Sequence, residues 1–160
     1  MAPSDASAHA DASRGAAAVD QVDTSYLEGL LGYNARRASL AIIDVFLQRM
    51  AAHKLRPVDF SVLSLIHHNP GITSRQLCGA LSLQPPNLVG MLNTHERRGL
   101  LRRQPHPSDG RALGLHLSAK GRALMQQAEQ TASELEAEAA SRLRPQERQT
   151  LMRLLRKLYA

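Results

Sequence analysis

Eight Lys and Arg residues stand between positions 75 and 122: Arg75, Arg97, Arg98, Arg102, Arg103, Arg111, Lys120 and Arg122. The same segment holds two acids, Glu96 and Asp109. Cations gathered this way suit phosphate neutralisation. Among them lie residues that can read base edges. Asn87, Asn93 and Thr94 offer side-chain donors and acceptors, Asn being suited to adenine, and Pro86 and Met91 could touch a thymine methyl. Arg98 follows near the end of the same stretch. Ser74, Arg75 and Gln76 fall where a helix would start, and the free backbone N–H groups of a helix start favour a phosphate. Arg111 follows Pro105-His106-Pro107-Ser108-Asp109-Gly110. At a hairpin tip it could enter a minor groove, drawn by the negative potential there, with His106 and Asp109 counted beside it among the DNA-binding residues. The chemistry is recognition of a nucleic-acid duplex. The chain shows no nucleophile motif, paired-carboxylate context or Gly-rich phosphate loop, so an enzyme is not expected.

The elements that must position these residues can be read from spacing. Thr73-Ser74-Arg75-Gln76 matches a capping box, with Thr73 as N-cap and Gln76 reaching back. The helix it starts should turn Leu77, Ala80 and Leu81 inward. Ser82-Leu83 make a turn, and Pro85 opens the next helix, where a missing N–H costs nothing. Leu88, Val89 and Leu92 should face the core, with Gly99 ending that helix. Two short extended segments, 100–104 and 112–117, flank the Pro/Gly tip as a basic wing. A helix-turn-helix followed by a wing can contact a major groove and the adjacent minor groove together.

Flanking this unit are long helical patterns. One helix is expected over residues 25–52, with two apolar stripes, one through Leu27, Leu31, Ile42 and Met50 and one through Leu30, Tyr33, Leu40 and Phe46. Pro57 starts a short buried helix that ends at Asn69-Pro70-Gly71. Ser118 caps a helix to about residue 142, and Pro145 opens a last one carrying Leu151, Leu154, Leu155 and Leu158. A long helix with a thin apolar stripe cannot stand alone, so these outer helices read as a dimerisation platform.

Composition bounds the rest. The 160 residues suffice for one core, and the 43% apolar content with 3% aromatics favours a mainly α protein with a small β-wing. Net charge is +6. The Ala/Ser/Asp-rich stretch 1–24 has almost no large apolar group and is expected to be a disordered tail. There is no secretory leader pattern and no apolar run of about 20 residues, so no membrane span is expected and the location should be cytoplasmic. A single cysteine, Cys78, excludes an intrachain disulfide and reads as a packing residue, with redox sensing as its alternative. Among seven histidines, His67 and His68 are adjacent and should point to different parts of a helix surface. No Cys/His cluster has zinc spacing, so neither a metal nor a cofactor is expected.

In order and spacing, His95-Glu96-Arg97-Arg98-Gly99-Leu100-Leu101-Arg102, Asp109-Gly110-Arg111 and Leu117-Ser118-Ala119-Lys120-Gly121 resemble three strings of the MarR family of winged-helix transcriptional regulators. The resemblance covers residues 25–160. It implies dimerisation helices at 25–56 and 119–160 around a winged helix-turn-helix at 57–118. It further implies a homodimer on a pseudo-palindromic operator, acting as a repressor that a small, often phenolic or anionic ligand releases. Asp109 would then orient Arg111. Gly110 stands where the family often has Arg, and Pro85-Pro86 is unusual at a recognition-helix start. A ligand pocket could be lined by Tyr33, Arg36, Arg37, Phe60, Leu63 and His67, an Arg pairing the carboxylate of an aromatic acid or its thioester. A redox-sensing regulator through Cys78 and a winged-helix protein-interaction or architectural module remain as alternatives.

Overall fold

The computed structural model describes residues 21–106 and 109–159; the side chains of 106 and 109–112 lie outside the described residues. The chain divides into two units, one ending at Ala35 and the other spanning Arg36–Ala160. In the first unit the expected continuous helix is broken. A single turn, α1 (Ser25–Glu28), stops at Gly29, and α2 (Leu31–Met50) begins two residues later. Glycine in a helix interior costs about 1 kcal/mol relative to Ala, so the break is cheap here. Asn34 stabilises it, its side-chain amide donating to the carbonyls of Glu28 at 2.7 Å and Leu30 at 2.8 Å.

The second unit holds the rest of α2, then α3 (Pro57–His68), α4 (Ser74–Leu81), α5 (Pro85–Arg97), α6 (Ala119–Ala139) and α7 (Pro145–Arg156). Three antiparallel strands, β1 (Ile72–Thr73), β2 (Leu101–His106) and β3 (Asp109–Leu117), lie in the order β1-β3-β2. The wing strands thus run longer than expected, pairing from Leu101↔Leu117 out to His106↔Asp109 with an irregularity at Pro105/His106. The two-residue β1 was not legible. It pairs Thr73 with Gly114, and a Cβ at Gly114 would sit 2.9 Å from the Gly71 carbonyl oxygen, so only glycine admits the strand.

The core gathers Met50, Leu55, Val62, Leu63, Ile66, Leu77, Leu88, Leu92, Leu100, Leu101, Leu115, Leu117, Met125, Ala128 and Leu135. Cys78 packs half-buried against it. Ala80 and Val89 do not turn inward: both are exposed, Val89 by 49%. On α5 the positions 88, 92 and 95 already fill the i, i+4, i+7 stripe, which leaves 89 on its flank.

Candidate nucleic-acid interface

Helix α4 starts as its sequence dictates. Thr73 Oγ1 accepts from the Gln76 N–H at 3.3 Å, and Gln76 Oε1 accepts from the Thr73 N–H at 2.9 Å. Gln76 is therefore committed to the cap, while Arg75 is exposed and Ser74 half-buried.

Helix α5 opens with Pro85 and Pro86 behind the N-cap Gln84. Two of the four N–H groups a helix N-terminus normally leaves free do not exist here. A third, on Asn87, donates to the Gln84 carbonyl at 3.1 Å. This end of α5 is poorly equipped to hold a phosphate through its backbone, and what it can read it must read with side chains. Pro86, Asn87, Val89, Gly90, Thr94 and Arg97 are exposed along it. Met91 is half-buried against the core, so Val89 joins Pro86 as an apolar group presented outward, where the sequence reading had Pro86 and Met91. The signal for Val89 was the core stripe already completed beside it by 88, 92 and 95.

Asn93 and Thr94 are not equivalent. Arg103 of β2 donates Nη2–H to Asn93 Oδ1 at 2.7 Å and pairs through Nη1 with Glu96 at 3.2 Å. Asn93 and Arg103 thus join the reading helix to the wing. Thr94 Oγ1 donates to the Gly90 carbonyl at 3.0 Å and accepts from Arg97 at 3.3 Å. Asn87 is exposed and makes no side-chain hydrogen bond among the described residues. Arg98 turns elsewhere, donating to the Lys54 carbonyl at 3.4 Å. Arg102 is exposed on the wing. The readings placed on His106, Asp109 and Arg111 fall on side chains outside the described residues; Pro107 and Ser108 lie outside them altogether.

The C-terminal end of α5 is fixed twice. Gly99, at φ +71, lets its N–H reach the Glu96 carbonyl at 2.8 Å while the Leu100 N–H reaches that of His95 at 2.9 Å. Both bonds together are the Schellman closure. Ser118 then donates from its hydroxyl to the Gly99 carbonyl at 2.6 Å and caps α6 through the Gly121 N–H at 3.0 Å. Lys120 Nζ donates to the Arg98 carbonyl at 2.9 Å. A Cβ at 121 would run into the Leu100 carbonyl. The string Leu117–Gly121 therefore ties α6 to the end of the reading helix.

His95 closes this joint from inside. It is 1% exposed, and Nε2 lies 3.1 Å from Asp59 Oδ1 in the first turn of α3. Asp59 Oδ2 in turn accepts from Arg56 at 3.0 Å. A carboxylate only accepts, so Nε2 carries the proton and Nδ1, buried with no partner, is a bare acceptor. A second proton there would have nothing to bond. Burial accordingly holds the His95 pKa below its ordinary 6.5, against the opposing pull of Asp59.

Of the residues proposed to line a pocket, those in the second unit stand in different surroundings. Tyr33 belongs to the first unit and Arg36 and Arg37 are exposed in the second. Leu63 is fully buried core, Phe60 packs edge-on against Phe46 with ring centroids 5.7 Å apart, and His67 faces Glu129. A cavity of about 440 Å³ opens instead where Lys54, Arg98 and Lys120 surround Leu100, Ala123 and Leu124.

A short basic helix-turn-helix with a two-stranded wing, bolted at Gly99 to the helix that follows, is the arrangement of known regulators. The MarR family pattern matches residues 55–113. A solved structure of the transcriptional repressor CouR bound to a 23-mer DNA duplex is 35% identical, with a TM-score of 0.82 over 88% of this chain and 99% of that one. This chain belongs to the MarR family. CouR bound to p-coumaroyl-CoA matches at 33% identity and TM-score 0.78, covering 86% of this chain and 97% of that one. A protein of Thauera aromatica described as a transcriptional regulatory protein for the hcr operon is 29% identical, covering 83% of this chain and 81% of its own length. These relatives are winged-helix transcriptional regulators, and the mainly α fold with its three-stranded sheet agrees. No helix among the described residues is long and apolar enough to cross a membrane.

Proposed function

We propose that this MarR-family protein is a homodimeric transcriptional repressor that binds a pseudo-palindromic duplex site and is released by a small anionic, aromatic ligand. The observation that carries the reading is the outward edge of α5. Pro86, Asn87, Val89, Gly90 and Thr94 are exposed there in sequence with Arg97, while Arg75 on α4 and Arg102 on β2 are exposed cations. Asn87 and Val89 can meet adenine and a thymine methyl in the major groove. Arg75 and Arg102 would neutralise phosphates and fix register. Arg111, near the wing tip, is assigned to the minor groove, with Asp109 orienting it. Two copies would place their α5 helices in half-sites roughly 34 Å apart.

The ligand is assigned to the cavity bounded by Lys54, Arg98 and Lys120. Three cations around an apolar floor suit a carboxylate or phosphate attached to a ring or an acyl chain. CouR bound to p-coumaroyl-CoA supports an aromatic acyl thioester as the first compound to try. Arg98 ends α5 and Lys120 begins α6, so a ligand between them would favour a different angle at that joint and respace the reading helices. Cys78, packed against the core, makes redox control the weaker reading.

The test is fluorescence anisotropy of the full chain with DNA from upstream of its own gene against a scrambled duplex, at two salt concentrations. Selective binding that weakens steeply with salt, and is reversed by p-coumaroyl-CoA or a free aromatic acid, is expected. Equal, weak binding to both duplexes would favour the architectural or protein-interaction alternative.

A further inference from the structure

The adjacent histidines that end α3 do not diverge. His68 Nε2 lies 2.9 Å from Glu129 Oε1 on α6, and His67 Nδ1 lies 3.4 Å from the same oxygen. The two imidazole rings are 5.0 Å apart, tilted by 35°. At the last turn of a helix, two long side chains can curl over the end and meet on one acceptor although their Cβ vectors differ. We propose that His67, His68 and Glu129 form a binding site for a divalent cation of the zinc type, bridging α3 to α6.

The donor set is the first argument. Two neutral imidazoles and a carboxylate supply three protein ligands, and Zn²⁺ accepts a fourth position filled by water. The spacing is the second. Metal–ligand bonds of about 2.0–2.1 Å at tetrahedral angles put donor atoms about 3.3 Å apart. The contacts to Glu129 bracket that separation, and all three ligand atoms lie within 4.8 Å of one another. A small rotation of the rings admits the ion where the imidazole–carboxylate hydrogen bonds now run. Among the described residues, this is the one place where three such donors converge.

The surroundings fit as well. Ser64 Oγ donates to Glu129 Oε1 at 2.9 Å, orienting the carboxylate as an outer partner orients a metal ligand. His68 is 63% exposed and Glu129 26%, which leaves the ion a path in and room for its water.

The experiment is titration of the tag-free, full-length, metal-stripped chain with Zn²⁺ in competition with a chromophoric zinc chelator. Co²⁺ absorption then reads the geometry, and thermal unfolding is followed with and without Zn²⁺. The expected result is one Zn²⁺ per chain, tetrahedral Co²⁺ bands, and a rise in Tm with added Zn²⁺. Glu129→Gln and His68→Ala should each weaken Zn²⁺ by about ten-fold or more and remove the Tm shift. His53→Ala, whose ring faces Thr131 instead, should change neither. If Glu129→Gln fails to fold, His68→Ala, at an exposed ring, decides alone. No stoichiometric Zn²⁺ binding, or affinity unchanged in the variants that fold, would leave His67, His68 and Glu129 a plain ion-pair cluster and overturn the proposal.

Discussion

Arg103 on the first wing strand and Asn93 on the reading helix are joined at 2.7 Å, with Glu96 taking the other guanidinium nitrogen at 3.2 Å. The oxygen that Asn93 would need for a two-point contact with adenine already accepts this bond, which turns the amide toward the wing. The pair works as a strut between helix and wing, and in the proposed complex it would set the angle at which the two grooves are met together. Arg103→Ala should cost about 1 kcal/mol of stability, since the pair is partly exposed. It should weaken specific DNA binding by roughly ten-fold through lost pre-organisation. Because no phosphate contact is removed, the slope of log affinity against log salt should stay as it was. A slope shallower by about one would instead assign Arg103 to a phosphate.

Asn87 is the contrasting case. It is exposed near the start of α5 and carries no strut. Asn87→Ala should leave the unfolding midpoint nearly unchanged and reduce discrimination between operator and scrambled duplex by about 1–3 kcal/mol. Asn93→Ala should do the reverse, lowering stability more than selectivity. Anisotropy on both duplexes beside a thermal melt separates the two.

His95 makes stability depend on pH. Its folded pKa is lowered, so in the window below 6.5 the unfolded chain binds a proton that the folded chain refuses. Stability is therefore fully present above pH 6.5 and is lost as pH falls from there toward the folded value. The slope is at most about 1.4 kcal/mol per pH unit. Glu129, also lowered, adds a second loss when pH falls through and below its ordinary 4.5. His95→Gln keeps a donor for Asp59 but cannot titrate. Urea unfolding between pH 8 and pH 5 should show the slope in the natural protein and its loss in the variant. An unchanged slope in His95→Gln would assign the titration to another group.

What could be read in advance was local. The capping box of Thr73 and Gln76, the proline starts of α3, α5 and α7, and the glycine stop at 99 follow from neighbours within a few residues, and each stands where expected. What could not be read depends on distance. β1 is two residues long and exists only because Gly114 lets it approach β3. The break at Gly29 needed Asn34 to satisfy two open carbonyls. The meeting of His67 and His68 needed Glu129, 62 residues from the first of them. In the interface, periodicity turned Leu88 and Leu92 inward correctly but misplaced Val89 and Met91, and it could not tell Asn87 from Asn93, because the partner that distinguishes them sits on another element.

Helix α7 buries none of its residues, yet Leu151, Leu154 and Leu155 share one helical face, Leu158 follows in the turn beyond it, and all are exposed. Twelve residues of isolated helix are marginal in water, even with Arg144 and Glu147 closing the N-terminal turn. An apolar stripe on such an element needs cover, and a second copy of the chain supplies it in the homodimer proposed above. Leu151→Glu with Leu155→Glu places two charges in that stripe. Sedimentation should then show a shift from dimer to monomer at micromolar chain. Operator affinity should fall by far more than the affinity for a single half-site, because one reading helix is lost from each complex. The double variant remaining a dimer would remove α7 from the interface.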